Sequence, residues 1–145
     1  MTLTVLSGEA VAVMRRRFAT PCQRLLALMG CTRSTPSLLP HHRLRAYRVA
    51  LEFLHAVKAA NIRDRVDRDQ AIRAAKSVCR NLAEATGRVS RADQARVFGI
   101  ARGETVEAIA TTEIAVEAGE ARADALPTVL DRGNALYAML TALSR

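Results

Sequence analysis

Glu107 has the strongest claim to chemistry in this 145-residue chain, because its carboxylate sits on a helical stripe otherwise built of Ile100, Ile114 and Ala118. Burial among apolar neighbours raises a carboxyl pKa and suits it to general acid or base work. Pairing with a cation leaves it an ordinary ion pair, and this is the favoured reading because an unpaired buried charge is too costly to persist. Arg102 and Arg80 are the expected cross-helix partners. The remaining reactive side chains do not assemble around Glu107. His41 and His42 are adjacent beside Pro40, so on a helix they point in different directions, and no third ligand is near in sequence; no metal site is expected there. His55 falls on the outer half of a helix. Gly99 and Gly103 lie inside a helix and not in a phosphate-cradling loop. Neither an enzyme nor a cofactor is expected.

Three cysteines, Cys22, Cys31 and Cys79, are an odd number without C-x-x-C spacing. They read as reduced thiols of a cytoplasmic protein, with a Cys22–Cys31 disulfide as the unsupported alternative. Charge is unevenly placed. Residues 1–48 carry eight arginines, including Arg15, Arg16 and Arg17, against Glu9 alone, a balance of +7; residues 49–145 carry fourteen basic and thirteen acidic side chains. A basic first third calls for an anionic partner such as nucleic acid or an acidic membrane surface. No apolar run approaches the ~18 residues of a membrane span, so a soluble protein is expected.

The elements that must position these residues are helices. Half the residues are apolar but only 3% are aromatic, a composition suited to closely packed helices built on Ala, Leu, Val and Ile. Residues 1–40 lack a sustained period and read as a basic extension, with a short helix across Arg15–Met29. Their Arg-rich, acid-poor character resembles a transit peptide without signal-peptide order, and an upstream-misassigned start codon is the competing explanation. From 41 to 145 the 3.6-residue period is strong. Leu44, Tyr47, Leu51 and Leu54 form the stripe of a first helix, and a polar turn follows over Asn61–Val66. Asp67 is the expected cap of a second helix, with Gln70 three residues on; its stripe is Ile72, Ala75, Cys79 and Leu82, and Gly87 ends it. Ser90 opens a third helix that runs to about Ala118, where Gly119 stops it. Asp124 is the expected cap of a fourth, with Pro127 in its first turn, and Leu126, Leu130, Gly133, Leu136, Leu140 and Leu143 are its expected buried face. Four helices on short connections are most economically an all-α, antiparallel up-down-up-down four-helix bundle.

The stretch from Gln70 through Ser77, Asn81 and Glu84, followed by Phe98–Glu107 with Ala101-Arg102-Gly103-Glu104, resembles the paired signature of the four helix bundle protein family. That family includes the proteins encoded in intervening sequences of bacterial 23S ribosomal RNA genes and is related more distantly to the accessory variability proteins of diversity-generating retroelements. The resemblance spans roughly residues 43–143. Gln70, Ser77, Asn81, Glu84, Arg102, Gly103 and Glu107 match the family's pattern. The chain departs from it at Glu104, where the family has Ser, and at Ala85, where it has Gly. The resemblance implies a bacterial four-helix bundle that forms a homopentameric ring, and a relative's habit of binding a reverse transcriptase and its RNA template.

The residues themselves also point beyond one bundle. The third helix has two apolar faces: Phe98, Ala101, Thr105, Ile109 and Val116 on one, Ile100, Ile114 and Ala118 on the other. A lone bundle buries only the first, so Ile100, Glu107, Ile114 and Ala118 are the expected oligomer interface. Ser77, Asn81 and Glu84, with Arg102, are expected to form a polar strip that fixes helix register. Arg63, Arg65 and Arg68 crowd one turn, Arg73, Lys76 and Arg80 continue along the second helix, and Arg88 and Arg91 lie in the next turn. Repeated around a ring, this set would attract phosphate backbones of RNA or DNA. Tyr47 and Tyr137 lie on apolar faces, so binding would be weak in sequence specificity. The function expected is therefore a non-enzymatic oligomer that binds nucleic acid or a nucleic-acid enzyme such as a reverse transcriptase. The alternative is a structural assembly module that docks on an acidic protein partner without nucleic acid.

Overall fold

The computed structural model describes residues 39–145, and the expected Arg15–Met29 helix, Arg15–Arg17, Cys22 and Cys31 lie outside the described residues. A 3-10 turn, Pro40–Arg43, leads into α1 (Arg45–Ala59), α2 (Arg65–Gly87), α3 (Arg91–Glu117), a second 3-10 turn (Ala123–Ala125) and α4 (Leu126–Leu143). The helices form an antiparallel up-down-up-down bundle in which each packs on two neighbours: α1 on α2 and α4, α3 on α2 and α4, with α2–α3 the most extensive pairing. Among the described residues, no helix is long and apolar enough to cross a membrane.

Alanine makes this packing possible. Ala71, Ala74, Ala75 and Ala85 of α2 and Ala101, Ala108 and Ala115 of α3 are buried, and small side chains let helix axes approach at the close end of the usual 8–10 Å. The larger groups that fill the remaining space are Phe53, Ile62, Leu82, Leu136 and Leu140, all at most 2% exposed. α2 buries the expected Ala75, Cys79 and Leu82, with Ile72 packed at the edge. α1 is rotated from expectation. Ala46, Ala50, Phe53 and Val57 are its core, while Leu51 is 38% exposed. In α4, Val129 joins Gly133, Leu136 and Leu140 in the interior, and Leu126 and Leu130 are only half-buried. Two hydroxyls are buried in α3: Thr105 donates to the Ala101 carbonyl at 2.9 Å and Thr112 to that of Ala108 at 2.8 Å, so neither is left unsatisfied.

The helix ends refine two expected caps. Asp64, not Asp67, is the N-cap of α2, and its Oδ1 accepts from the Asp67 amide at 2.9 Å; both aspartates suit a cap, and the helix starts at the earlier one. Asp124 does not cap α4. It lies in the 3-10 turn and is held by the Arg122 guanidinium, which keeps its carboxyl below the usual range. Pro127 does occupy the first turn of α4. Gly119 ends α3 with φ +70°, the left-handed geometry that a Cβ disfavours. The Glu120 amide donates to Ala115 O at 2.8 Å and the Gly119 amide to Val116 O at 2.9 Å, a complete Schellman motif. Asn61 takes the equivalent left-handed position after α1 at φ 47°.

These two turns are tied together. The Arg63 amide donates to Glu120 O at 2.7 Å and the Arg122 amide to Ala60 O at 2.9 Å. The connections α1–α2 and α3–α4 therefore share backbone hydrogen bonds at one end of the bundle.

Candidate nucleic-acid interface

The eight basic residues expected to face nucleic acid do not form one group. Five of them are engaged within the bundle. Arg63 donates from its guanidinium to the Gly119 carbonyl at the C-terminus of α3, where a cation also meets the negative end of the helix dipole. Arg68 reaches Ile62 O at 3.5 Å and Arg63 O at 3.4 Å. Arg65 lies 3.7 Å from Asp69. Arg73 donates to Gln70 Oε1 at 2.7 Å and stands 3.8 Å from Glu107. Arg88 donates to Glu84 and lies 3.4 Å from Asp93; the Glu84 hydrogen bond first and the Asp93 charge second hold its guanidinium more firmly protonated. Lys76, Arg80 and Arg91 are exposed and form no ion pair among the described residues.

Glu107 is paired, as its position demands, but not by the residues expected. Gln70 Nε2 donates to its Oε1, and Arg73 is the nearby cation. Arg102 precedes Glu107 by five residues and so points to the far side of α3, where its guanidinium lies 5.8 Å from the Tyr137 ring centroid. Arg80 stands further along α2, beyond reach. The Glu107 side chain is 39% exposed, so it is an edge residue of the α2–α3 seam and not a buried acid.

The polar strip is only partly as expected. Asn81 donates to the Ser77 hydroxyl at 3.2 Å, Glu84 turns to Arg88, and Arg102 takes no part. Gln70, expected to reach back to Asp67 in capping-box fashion, instead donates to Glu107 and links α2 to α3.

Beside this seam runs the second apolar face of α3. Ile100 is 43% and Ile114 61% exposed; Ala118 is exposed as well, and Gly103 faces open space, with nothing within 4 Å of a Cβ built on it. A mid-helix glycine costs about 1 kcal/mol against alanine, and within one bundle Gly103 gains no close packing in return. On the opposite side of α3, a shallow groove of about 260 Å³ lies between α3 and α4, lined by Val106, Ile109, Ala110, Glu113, Asn134 and Tyr137. One carboxylate and one amide among apolar walls provide no acid–base pair. Cys79 is buried, and burial pushes its thiol up, away from the reactive thiolate. Among the described residues, His, Cys, Asp and Glu nowhere gather in the threes that hold a metal ion.

The family model of the 23S rRNA-intervening sequence protein matches residues 43–142. The chain belongs to that family. The match begins at the end of the first 3-10 turn and ends within the last turn of α4, so it takes in the whole bundle, including the α2–α3 seam and both outer faces of that hairpin. A comparison with curated proteins found no match.

Proposed function

We propose that this member of the 23S rRNA-intervening sequence family is a non-enzymatic, cytoplasmic homo-oligomer, a ring of five copies as the family resemblance implies, that binds nucleic acid through its phosphate backbone. A nucleic-acid enzyme such as a reverse transcriptase is a further partner in this reading. The observation that carries it is the long α2–α3 hairpin. One side of the hairpin builds the core; its other side offers exposed cations on α2 and, on α3, the uncovered stripe of Ile100, Gly103, Ile114 and Ala118. An apolar stripe with a glycine that gains no packing within one bundle suits close contact with another copy, while unpaired cations suit a polyanion.

The test is the affinity of the intact protein for unrelated RNA and DNA sequences across a salt series, together with its mass by light scattering. The reading requires an oligomer, similar affinities for unrelated sequences, and a steep fall with salt, each neutralised phosphate adding about 0.7–0.9 to the log–log slope. An oligomer that binds no nucleic acid at low salt would select the structural module that docks on an acidic protein.

A further inference from the structure

The carboxylates of the bundle are unevenly placed. From Leu39 to Ile62 the sole one is Glu52, and it is committed to Arg132 of α4 at 3.1 Å. Along the second half of α2 the sole one is Glu84, committed to Arg88. Among the described residues, the corner where the Pro40–Arg43 turn, the first half of α1 and the second half of α2 meet is therefore left with cations and no free acid.

Five exposed cations, unpaired among the described residues, stand there; Arg45 shares the face of Glu52 toward α4, and the other four are Arg43, Arg48, Lys76 and Arg80. Gln70 reaches Glu107, so the arc of α2 through Gln70, Ser77 and Asn81 faces α3. At 100° per residue, Lys76 lies about 120° from Gln70, on the side away from α3, and Arg80 about 80° from it, facing straight out from the core. The antiparallel α1–α2 pairing sets them level with the start of α1, where Arg48 is exposed and Tyr47 and Leu54 pack inward. Arg43 is held nearby because its turn packs on both α1 and α2. The turn is fixed by His42 N to Leu39 O at 2.9 Å and Leu44 N to His41 O at 3.1 Å, and the His41 ring meets Tyr47 edge-on at 4.8 Å. None of the four cations forms an ion pair among the described residues.

We propose that Arg43, Arg48, Lys76 and Arg80 form the phosphodiester-contacting site of this protein, and that the ion-paired cations of the α2–α3 side do not contribute to it. The proposal rests on the nucleic-acid reading and assigns that function to one corner. Two physical points support the assignment. A cation already paired with a carboxylate must give up that partner before it neutralises a phosphate, so only unpaired cations contribute at full strength. Lys76 and Arg80, one helical turn apart, are separated by about 6 Å along the axis, the scale of neighbouring phosphates on one strand. Tyr47 is half-buried against His41 and offers no free ring for stacking, which leaves backbone contacts to dominate. The site shares no residue with the Ile100–Ile114 stripe.

Two full-length variants with equal loss of charge test this. The first carries Arg43→Ala, Arg48→Ala, Lys76→Ala and Arg80→Ala; the second carries Arg65→Ala, Arg73→Ala, Arg88→Ala and Arg96→Ala, all cations with carboxylate partners. Fluorescence anisotropy with unstructured single-stranded RNA and DNA, over a salt series, should show the slope of the first variant reduced by about 2–3, at roughly 0.7 per lost contact on a single strand. The second should keep the wild-type slope. Equal losses in both would mean that net charge alone attracts the polyanion, and a larger loss in the second would place the site on the α2–α3 side; either overturns the assignment while the nucleic-acid reading stands. Absence of wild-type binding would remove both. Circular dichroism guards against unfolding in either variant.

Discussion

The Arg63 guanidinium donates to the Gly119 carbonyl across 56 residues of sequence. With the Arg63 amide on Glu120 O, one residue of the α1–α2 turn both pairs with the α3–α4 turn and caps the end of α3. The Arg63 guanidinium thereby has a structural role, and in moving to a phosphate it would give up or share the Gly119 carbonyl.

Arg63→Ala should lower stability by about 1 kcal/mol, from the lost charge–dipole and capping interactions at an exposed site. Gly119→Ala should cost about 1–2 kcal/mol, since alanine must adopt the left-handed conformation there. Chemical denaturation of each variant checks this. A normal midpoint for Arg63→Ala would show that the guanidinium contributes nothing beyond its backbone pairing.

Leu82 is fully buried at the centre of an alanine-lined stripe of α2. Leu82→Ala should cost about 2–5 kcal/mol, because helices already in close contact cannot collapse further to fill the space. An unchanged denaturation midpoint would contradict the face assigned to α2.

What the sequence revealed followed from where its large side chains lie. In α2 the leucine, valine and cysteine share the arc of the alanines, so the 3.6-residue period located the buried face correctly. In α1 they do not. Leu44, Tyr47, Leu51 and Leu54 outweigh Ala46 and Ala50 by hydrophobicity, yet it is the alanine side with Phe53 and Val57 that fits the close helix spacing. The two cap assignments failed for a related reason. Asp64 and Asp67 are equally good by type, and only the path of the chain out of Ile62, a buried turn residue, decides between them. Glu107 was correctly read as a paired group, but Gln70 as its donor depends on the α2–α3 register, which periodicity within one helix does not determine.

Gly133 presents a different use of glycine from Gly103. A Cβ there would lie 2.5 Å from Ile109 Cδ1 and 3.2 Å from Phe53 Cε2, so α4 closes on α1 and α3 at this point. Gly133→Ala gains about 1 kcal/mol of helix propensity but forces both neighbours aside, a cost of about 1–3 kcal/mol. The net effect should be destabilising, by about 1 kcal/mol in a denaturant series. A stabilised variant would mean that Ile109 swings away freely.

Gly103→Ala separates fold from assembly. In a single bundle the new methyl meets nothing within 4 Å, so the monomeric fold should gain about 0.5–1 kcal/mol. If the stripe of Ile100, Gly103 and Ile114 is where copies meet, the same methyl enters a close interface, and light scattering should show the assembly dissociating at higher protein concentration than wild type. Ile114→Glu should act in the same direction and more strongly, shifting mass toward monomer while circular dichroism stays helical, since a carboxylate would be desolvated in the interface. A wild-type protein that is monomeric at tens of micromolar, or an Ile114→Glu protein with unchanged mass, would remove this face from the assembly. Gly103→Ala would then act only through helix propensity and simply stabilise the bundle.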